Sequence, residues 1–194
     1  MKHEEIKKNI ITGLCIALGV IIPIAFHSIP NGGQIFCPMH LPILLCGLIC
    51  GWQYGLLCGI VTPMISSLIT GMPIPPMLPS MAVELAIFGI VSALMIKYAN
   101  IENVYLRLYA SLITAMVSGR IAASIVQALF FSMGQTIKML AITHFVTCLP
   151  GIVIQLILIP AVYIALLKTG VITQQHSNMD DIDYYYYGET DEEE

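Results

Sequence analysis

The sequence predicts an all-α integral membrane protein with six transmembrane helices, the second short or irregular, and with both termini in the cytoplasm. The first observation is composition: 57% of the 194 residues are hydrophobic and only 10% are charged, with a mean hydropathy of +0.84. Soluble domains average about 45–50% apolar and about 25% charged residues, so this chain has more apolar surface than such a fold can bury. The second observation is that the apolar runs are long and unalternated. Because backbone polar groups must be satisfied within lipid, such runs predict helices.

The N-terminal part of the chain contains two candidate spans. A membrane-spanning helix needs about 20 mostly apolar residues. The first candidate runs from Lys8 to Ile29, and its length, with no small-residue cleavage site after a short core, predicts a span rather than a cleavable signal peptide. The second, Pro38 to Cys50, is short and bracketed by proline and glycine. On length alone it could also be a re-entrant segment.

Four further apolar runs are long enough to cross a bilayer. They are Trp52 to Thr70, Leu78 to Ile96, Val104 to Met133 and Thr143 to Leu167. Together the six spans predict one membrane domain over residues 1–170. Residues 171–194 contain four consecutive tyrosines and eight of the twelve acidic residues, and they predict a disordered tail. Without this tail the chain is mildly basic, and nothing in it resembles a nucleic-acid-binding surface.

The orientation follows from the basic residues, which concentrate in cytoplasmic loops. With six spans and both termini inside, only Lys138 falls in an outer loop. The basic residues predicted on the cytoplasmic side are Lys2, Lys7, Lys8, Lys97, Arg107 and Lys168. The two longest outer loops are then His27 to Pro38, rich in turn formers and polar groups, and the proline-packed Gly71 to Pro79.

Two ionisable residues lie at membrane depth, Glu84 in the fourth span and Arg120 in the fifth. Charges in the bilayer are costly, so each is a candidate functional residue. Both fall in the outer half of the membrane at about 1.5 Å rise per residue. They could pair with each other, since an unpaired buried charge is strongly unfavourable. Alternatively, the planar guanidinium of Arg120 could bind a ligand carboxylate through two hydrogen bonds.

Polar residues at helical spacing form two stripes in the last two spans. Ser124 and Gln127 share a helix face with Arg120, and in the sixth span the same spacing relates His144, Cys148, Gly151 and Gln155. The stripes predict either a lined cavity or hydrogen bonds that hold the helices together.

An enzymatic function has less support in the sequence. The sequence contains no HExxH, GxSxG or P-loop motif. His27, Cys37, His40 and His144 could gather around a soft metal, but their irregular spacing does not predict a metal site, and we expect no metal and no cofactor. His40 is retained as a candidate substrate-binding residue.

Small residues on the first span form two flat faces. Gly13 and Ala17 are four positions apart, as are Cys15 and Gly19. Faces of this kind allow close helix contact, either within the protein or with a separate membrane partner.

Five runs of residues form an ordered set of motifs along the membrane body. The longest is FCPMHLPILLCGLICGWQYG from Phe36 to Gly55. The others are GMPIPPMLP at Gly71, MAVELAIFG at Met81, SGR at Ser118 and LPGIVIQLILIP at Leu149. Taken in order, these runs resemble the substrate-binding S components of energy-coupling factor (ECF) vitamin transporters, and the resemblance covers essentially the whole membrane body, Lys8 to Lys168.

The resemblance implies a six-helix subunit in a prokaryotic plasma membrane that binds one vitamin-like molecule from outside and is not an enzyme. Its partners would be a coupling transmembrane protein and two cytoplasmic ATPases. Family members cap an outer pocket with the loop after the first helix, where Asn31 and Gln34 are the best candidate ligands here. They also carry Ala-x-x-x-Ala on that helix against the coupling protein, and this chain has Gly13-x-x-x-Ala17.

The predicted site therefore combines Arg120 and Glu84 with the polar stripes and the capping loop. Its proposed members are Arg120, Glu84, Gln127, Ser124, His144, Gln155, Asn31, Gln34 and His40. An arginine there favours an anionic, pantothenate-like ligand. Two other interpretations are an intramembrane enzyme that uses His and Cys residues, and a structural membrane partner whose polar stripes only pack helices.

Overall fold

The computed structural model of the chain describes residues 2–26, 32–131, 146–170 and 172. Within these ranges there are helices and connections but no strand. Five of these helices are long and apolar enough to cross a membrane, and a shorter apolar helix accompanies them. The prediction of an all-α, six-helix membrane protein is confirmed. The helices are α1 (Lys2–Phe26), α2 (Gly32–Phe36), α3 (His40–Cys50), α4 (Trp52–Thr70), α5 (Leu78–Tyr98), α6 (Val104–Phe131) and α7 (Leu149–Lys168).

The second predicted span is a short helix. α3 has 11 residues, which rise about 16 Å at 1.5 Å each, whereas the hydrocarbon core is about 30 Å thick. It is preceded by the small helix α2, in a segment that the sequence predicted as loop. Gly51 separates α3, which ends at Cys50, from α4, which starts at Trp52, and its φ of 100° is a backbone conformation that favours glycine.

Apart from the small α2, successive helices alternate in direction, so the bundle has two distinct ends. Near the start of α1, the Lys8 carbonyl accepts a hydrogen bond from Cys50 Sγ at the end of α3 (3.7 Å). Further along α1, Gly19 lies against Thr62 in the second half of α4. Contacts between α4 and α5, between α5 and α6 and between α6 and α7 continue this alternation. The starts of α1, α4 and α6 and the ends of α3, α5 and α7 therefore share one end of the bundle, which we call the N-terminal end.

The described basic residues, apart from Arg120, lie at this N-terminal end. They are Lys2, Lys7, Lys8, Lys97, Arg107 and Lys168. The positive-inside rule assigns this end to the cytoplasm, and this orientation stays a prediction. The tail beyond residue 172 lies outside the described residues, so its disorder also stays a prediction. Ile172, just after α7, is buried against the core.

The centre of the bundle is α5, which packs against α3, α4 and α6. Its contact with α4 is a glycine pair: a Cβ at Gly55 would meet the Gly89 carbonyl oxygen at 2.6 Å. Lipid tails are as apolar as the helix surfaces, so the hydrophobic effect does not drive helices together in a membrane. Close backbone approach between small residues is therefore a usual basis of helix association in lipid. Large apolar side chains on the outside of the bundle, such as Leu57 and Ile113, are about half exposed, as a lipid-facing surface requires.

The glycine contact between α4 and α5 predicts a large stability effect. Gly55→Leu should lower the unfolding temperature of the purified protein in detergent, because overpacking a tight contact costs about 1–3 kcal/mol. The matched control is Gly13→Leu, since a Cβ at Gly13 meets nothing within 4 Å. Equal unfolding temperatures for the two variants would contradict this account of the packing.

A group of buried thiols fills the contact between α1, α3 and α4. Cys46 lies within hydrogen-bonding reach of Cys15, Cys50 and Cys58, and its Sγ donates to Thr12 Oγ1 at 3.6 Å. All six cysteines are buried free thiols. These four thiols are small packing residues of the helix interior.

Candidate functional site

The other end of the bundle gathers buried polar side chains from four helices. Arg120, Gln155, Ser124, His40 and Glu84 are all at most 5% exposed. Glu84 and Gln155 each lie six residues into their helices, about 9 Å along the helix axis. The polar groups therefore meet below the helix ends, in what the orientation predicts to be the outer half of the membrane.

Glu84 on α5 is held beside His40, the first residue of α3. The His40 Nε2 atom lies 3.5 Å from Glu84 Oε1. The His40 ring also packs edge-on against Phe88, with 5.2 Å between ring centroids. One turn of α5 thus positions both the carboxylate and the aromatic ring that orient the imidazole.

Arg120 on α6 is completely buried and lies within electrostatic reach of Glu84. Its guanidinium is also within hydrogen-bonding reach of the Cys148 sulfur. The neighbouring Gly119 makes this possible, because a Cβ there would collide with the Phe88 ring and approach the Glu84 carbonyl oxygen to 3.0 Å. The close approach of α6 to α5 brings the two charges predicted from the sequence into one group.

Ser124 and Gln127 extend the same face of α6. The Ser124 hydroxyl donates to the Arg120 backbone carbonyl at 2.8 Å, so its hydrogen is used locally. Gln127 is half-buried, further along the helix. The shared face predicted from the spacing is present, and Arg120 is its most deeply buried member.

α7 joins the site through Gln155 and the segment that precedes α3. Gln155 Nε2 donates to the Cys37 carbonyl at 3.2 Å. A Cβ at Gly151 would meet the Phe36 carbonyl oxygen at 2.7 Å, so this segment lies directly on α7. The end of the loop after α1 therefore rests against the helix that carries Gln155.

Within the described residues, neither His40 Nδ1 nor Gln155 Oε1, both of which are buried, has a hydrogen-bond partner. A buried acceptor without a partner is costly, and native proteins satisfy nearly all such atoms. The group therefore offers a hydrogen-bond acceptor on α7 and an imidazole nitrogen on α3 in addition to its charges.

Some predicted members fall outside this description. Asn31 and His144 lie outside the described residues, and so does His27. Gln34 belongs to α2, but its side chain is not described. Among the residues that are described, no group of three or more His, Cys, Asp or Glu side chains could hold a metal ion.

Cys37 and Cys148 lie within hydrogen-bonding reach of each other, a contact that the sequence does not predict. Cys37 has a φ of 45°, which is unusual for a residue other than glycine, and it is buried between α2 and α3. Nothing in the spacing of these two cysteines points to a contact, because it depends on how the loop after α1 folds onto α7.

A family model described as "ECF transporter, substrate-specific component" matches residues 7–163. Neither the comparison with curated proteins nor the comparison with solved structures gives a match.

Proposed function

The chain belongs to the substrate-specific components of ECF transporters, and we propose that it captures an anionic, pantothenate-like molecule at the Arg120 site from outside a prokaryotic cell. Components of this family bind small molecules and work with a coupling membrane protein and ATPases; the family is one of transporter components, not of enzymes. The chain itself is a multi-pass membrane protein. Its proposed role is to supply the substrate specificity of an ATP-driven importer.

The observation that carries the proposal is the buried Arg120. A guanidinium in a membrane protein is retained where it has a partner or a function, because its desolvation is costly. Glu84 offsets part of this cost, but Glu84 is also within 3.5 Å of His40. A ligand carboxylate would give Arg120 a second anion with bidentate geometry.

The remaining polar atoms favour a ligand that carries more than a carboxylate. Gln155 Oε1 can only accept a hydrogen bond, and His40 Nδ1 can donate or accept one depending on the tautomer. A molecule with a carboxylate at one end and hydroxyl or amide groups a few bonds away would meet these needs. Pantothenate has this arrangement, which supports the proposed ligand class.

The contact of the described end of the loop after α1 with α7 supports a role for this loop as a cap. Its described end, Gly32–Phe36 and Cys37, rests on α7 beside Gln155. We propose that this segment, with Asn31 and Gln34, covers the ligand on the outer side.

We further propose that the coupling protein docks on α1. Gly13 and Ala17 are exposed, and no neighbouring atom lies within 4 Å of a Cβ built on Gly13. The other small pair, Cys15 and Gly19, is buried within the chain. Thus α1 uses one small-residue face for its own packing and leaves the other open to a partner helix.

Uptake tests this function directly. Proteoliposomes that contain this chain, the coupling protein and both ATPases should accumulate labelled pantothenate when ATP is supplied on the cytoplasmic side. Vesicles that lack this chain provide the control. Accumulation that is equal with and without the chain would overturn the proposal.

A further inference from the structure

We propose that Cys37 and Cys148 form a reversible disulfide that ties the loop after α1 to the start of α7 and so slows ligand exchange. The inference about exchange rests on the proposed function, whereas formation of the bond does not. Both side chains are buried, with Cys37 4% and Cys148 8% exposed, and their thiols are within hydrogen-bonding reach. The bond would link residues that are 111 positions apart (148 − 37).

The backbone contacts around the two cysteines hold them in register. Gln155 Nε2 donates to the Cys37 carbonyl at 3.2 Å, and the Phe36 carbonyl lies against Gly151. A disulfide needs Cα atoms about 4.4–6.8 Å apart and facing Cβ atoms. Cys148 precedes Gly151 by three positions and Gln155 by seven, so all three lie on the face of α7 that contacts the segment ending in Cys37.

Both cysteines also lie at the ends of helices, where the chain can adapt. Cys37 connects α2 to α3, and Cys148 directly precedes α7. By contrast, Cys46 and Cys58 lie inside α3 and α4 and are 0% exposed. An oxidant arriving from the outer side would therefore encounter the Cys37–Cys148 pair before the thiols of the helix interior.

The surroundings favour reaction at Cys148. The Arg120 guanidinium is within hydrogen-bonding reach of its sulfur, and the α7 N-terminus begins at the next residue. A positive group and a helix N-terminus both stabilise a thiolate, which is the nucleophile in disulfide exchange. The same guanidinium is the proposed carboxylate-binding group, so the thiol pair lies at the edge of the ligand site.

The oxidant is a disulfide, either a small molecule such as oxidised glutathione or an extracytoplasmic thiol oxidase. The Cys148 thiolate attacks one sulfur of the disulfide, which releases one thiolate and leaves a mixed disulfide on Cys148. Cys37 loses its proton and attacks the Cys148 sulfur, and the second thiolate departs. The protein forms one S–S bond, the oxidant is reduced to two thiols, and the proton of each cysteine ends on a released thiol.

The disulfide would attach the segment that covers the site to α7, which forms one side of the site. The segment Gly32–Phe36 precedes Cys37 directly, so a bond at Cys37 fixes the end of this segment to α7. Ligand entry and exit both require the cover to move if it closes the outer side. We therefore expect the oxidised protein to bind and release ligand at least about tenfold more slowly, with less change in affinity, because both rates fall.

Oxidation of the full-length protein in lipid nanodiscs by oxidised glutathione tests the bond itself. After remaining thiols are alkylated, peptide mass spectrometry should find a peptide pair linked through Cys37 and Cys148, and dithiothreitol should remove it. Cys148→Ser is the matched variant that should abolish the link, and Cys37→Ala is the second. Cys46→Ser should retain the link. If the only linked cysteines come from the interior group, or if none are linked, the inference is wrong.

Ligand exchange then tests the consequence, with labelled pantothenate as the probe. Slower association and dissociation in oxidised wild-type protein, restored by dithiothreitol and absent in Cys148→Ser, support the tether. Unchanged rates in a fully oxidised sample would refute it. If pantothenate does not bind the reduced protein either, the failure lies in the proposed ligand, because the mass-spectrometric result is independent of it.

Discussion

Replacing Arg120 with alanine should weaken binding of the anionic ligand by about 30-fold or more. Truncating one partner of a buried, hydrogen-bonded charge pair costs about 2–5 kcal/mol, and about 1.4 kcal/mol corresponds to a factor of ten in affinity. Arg120 is 0% exposed, so water cannot replace the lost guanidinium without a rearrangement of the site. Isothermal titration of the purified variant would measure the loss.

The controls for this prediction must separate binding from folding. Removal of Arg120 alone leaves the Glu84 carboxylate buried beside His40, and breaking a buried charge pair costs about 3–5 kcal/mol of stability. The double variant Arg120→Gln/Glu84→Gln removes both charges with little change in volume and should remain folded without binding ligand. Ser118→Ala changes the same helix but removes only a hydroxyl that donates to the Ala115 carbonyl, so it should bind normally. Normal binding by the double variant would favour the structural interpretation of the polar stripes.

The second large effect is expected on α1. Ala17→Trp should reduce energised uptake more than tenfold and leave the affinity for ligand unchanged. Ala17 and Gly13 are exposed and form the flat face on which we propose that the coupling protein docks. A large indole would prevent the close helix approach that small residues permit. Uptake into proteoliposomes and ligand titration, made on the same preparation, would separate the two quantities.

A matched substitution shows whether the effect belongs to this face. Ile113 on α6 is 50% exposed and lies on the lipid-facing outside of the bundle. Ile113→Trp adds the same side chain without touching α1, so uptake should persist. If both tryptophan variants transport normally, the docking proposal for Gly13 and Ala17 is wrong.

Much of the fold was predictable because lipid imposes simple rules. A long apolar run must form a helix, and the bounds of α4 agree with the prediction at both ends, Trp52 and Thr70. The shortness of α3 was predictable from the proline and glycine that bracket it. The small helix α2 was not, because a five-residue helix has no periodic signal and depends on its contact with α7.

The site was predictable in part for the same reason. A charged side chain within the bilayer is rare because its desolvation free energy is unfavourable. Arg120 and Glu84 could therefore be identified as candidates from the sequence alone. Helical spacing also placed Ser124 on the Arg120 face. The contact of His40 with Glu84 was not predictable, since it joins α3 to α5 across 44 positions (84 − 40). The Cys37–Cys148 contact was not predictable either, because it depends on the path of the loop after α1. Local sequence patterns do not predict that path.

The most direct test of the central claim is ligand-dependent stabilisation of the purified protein, measured with pantothenate and its neutral alcohol, pantothenol. The two molecules differ only where the carboxylate would meet Arg120. A ligand present at about 100 times its Kd stabilises the folded state by about 2.7 kcal/mol. We expect pantothenate to raise the unfolding temperature and pantothenol to raise it far less, and we expect no such difference in the Arg120→Gln/Glu84→Gln variant. Equal stabilisation by both compounds, or none by either or by other anionic vitamins in a folded sample, would contradict an anion-binding site at Arg120.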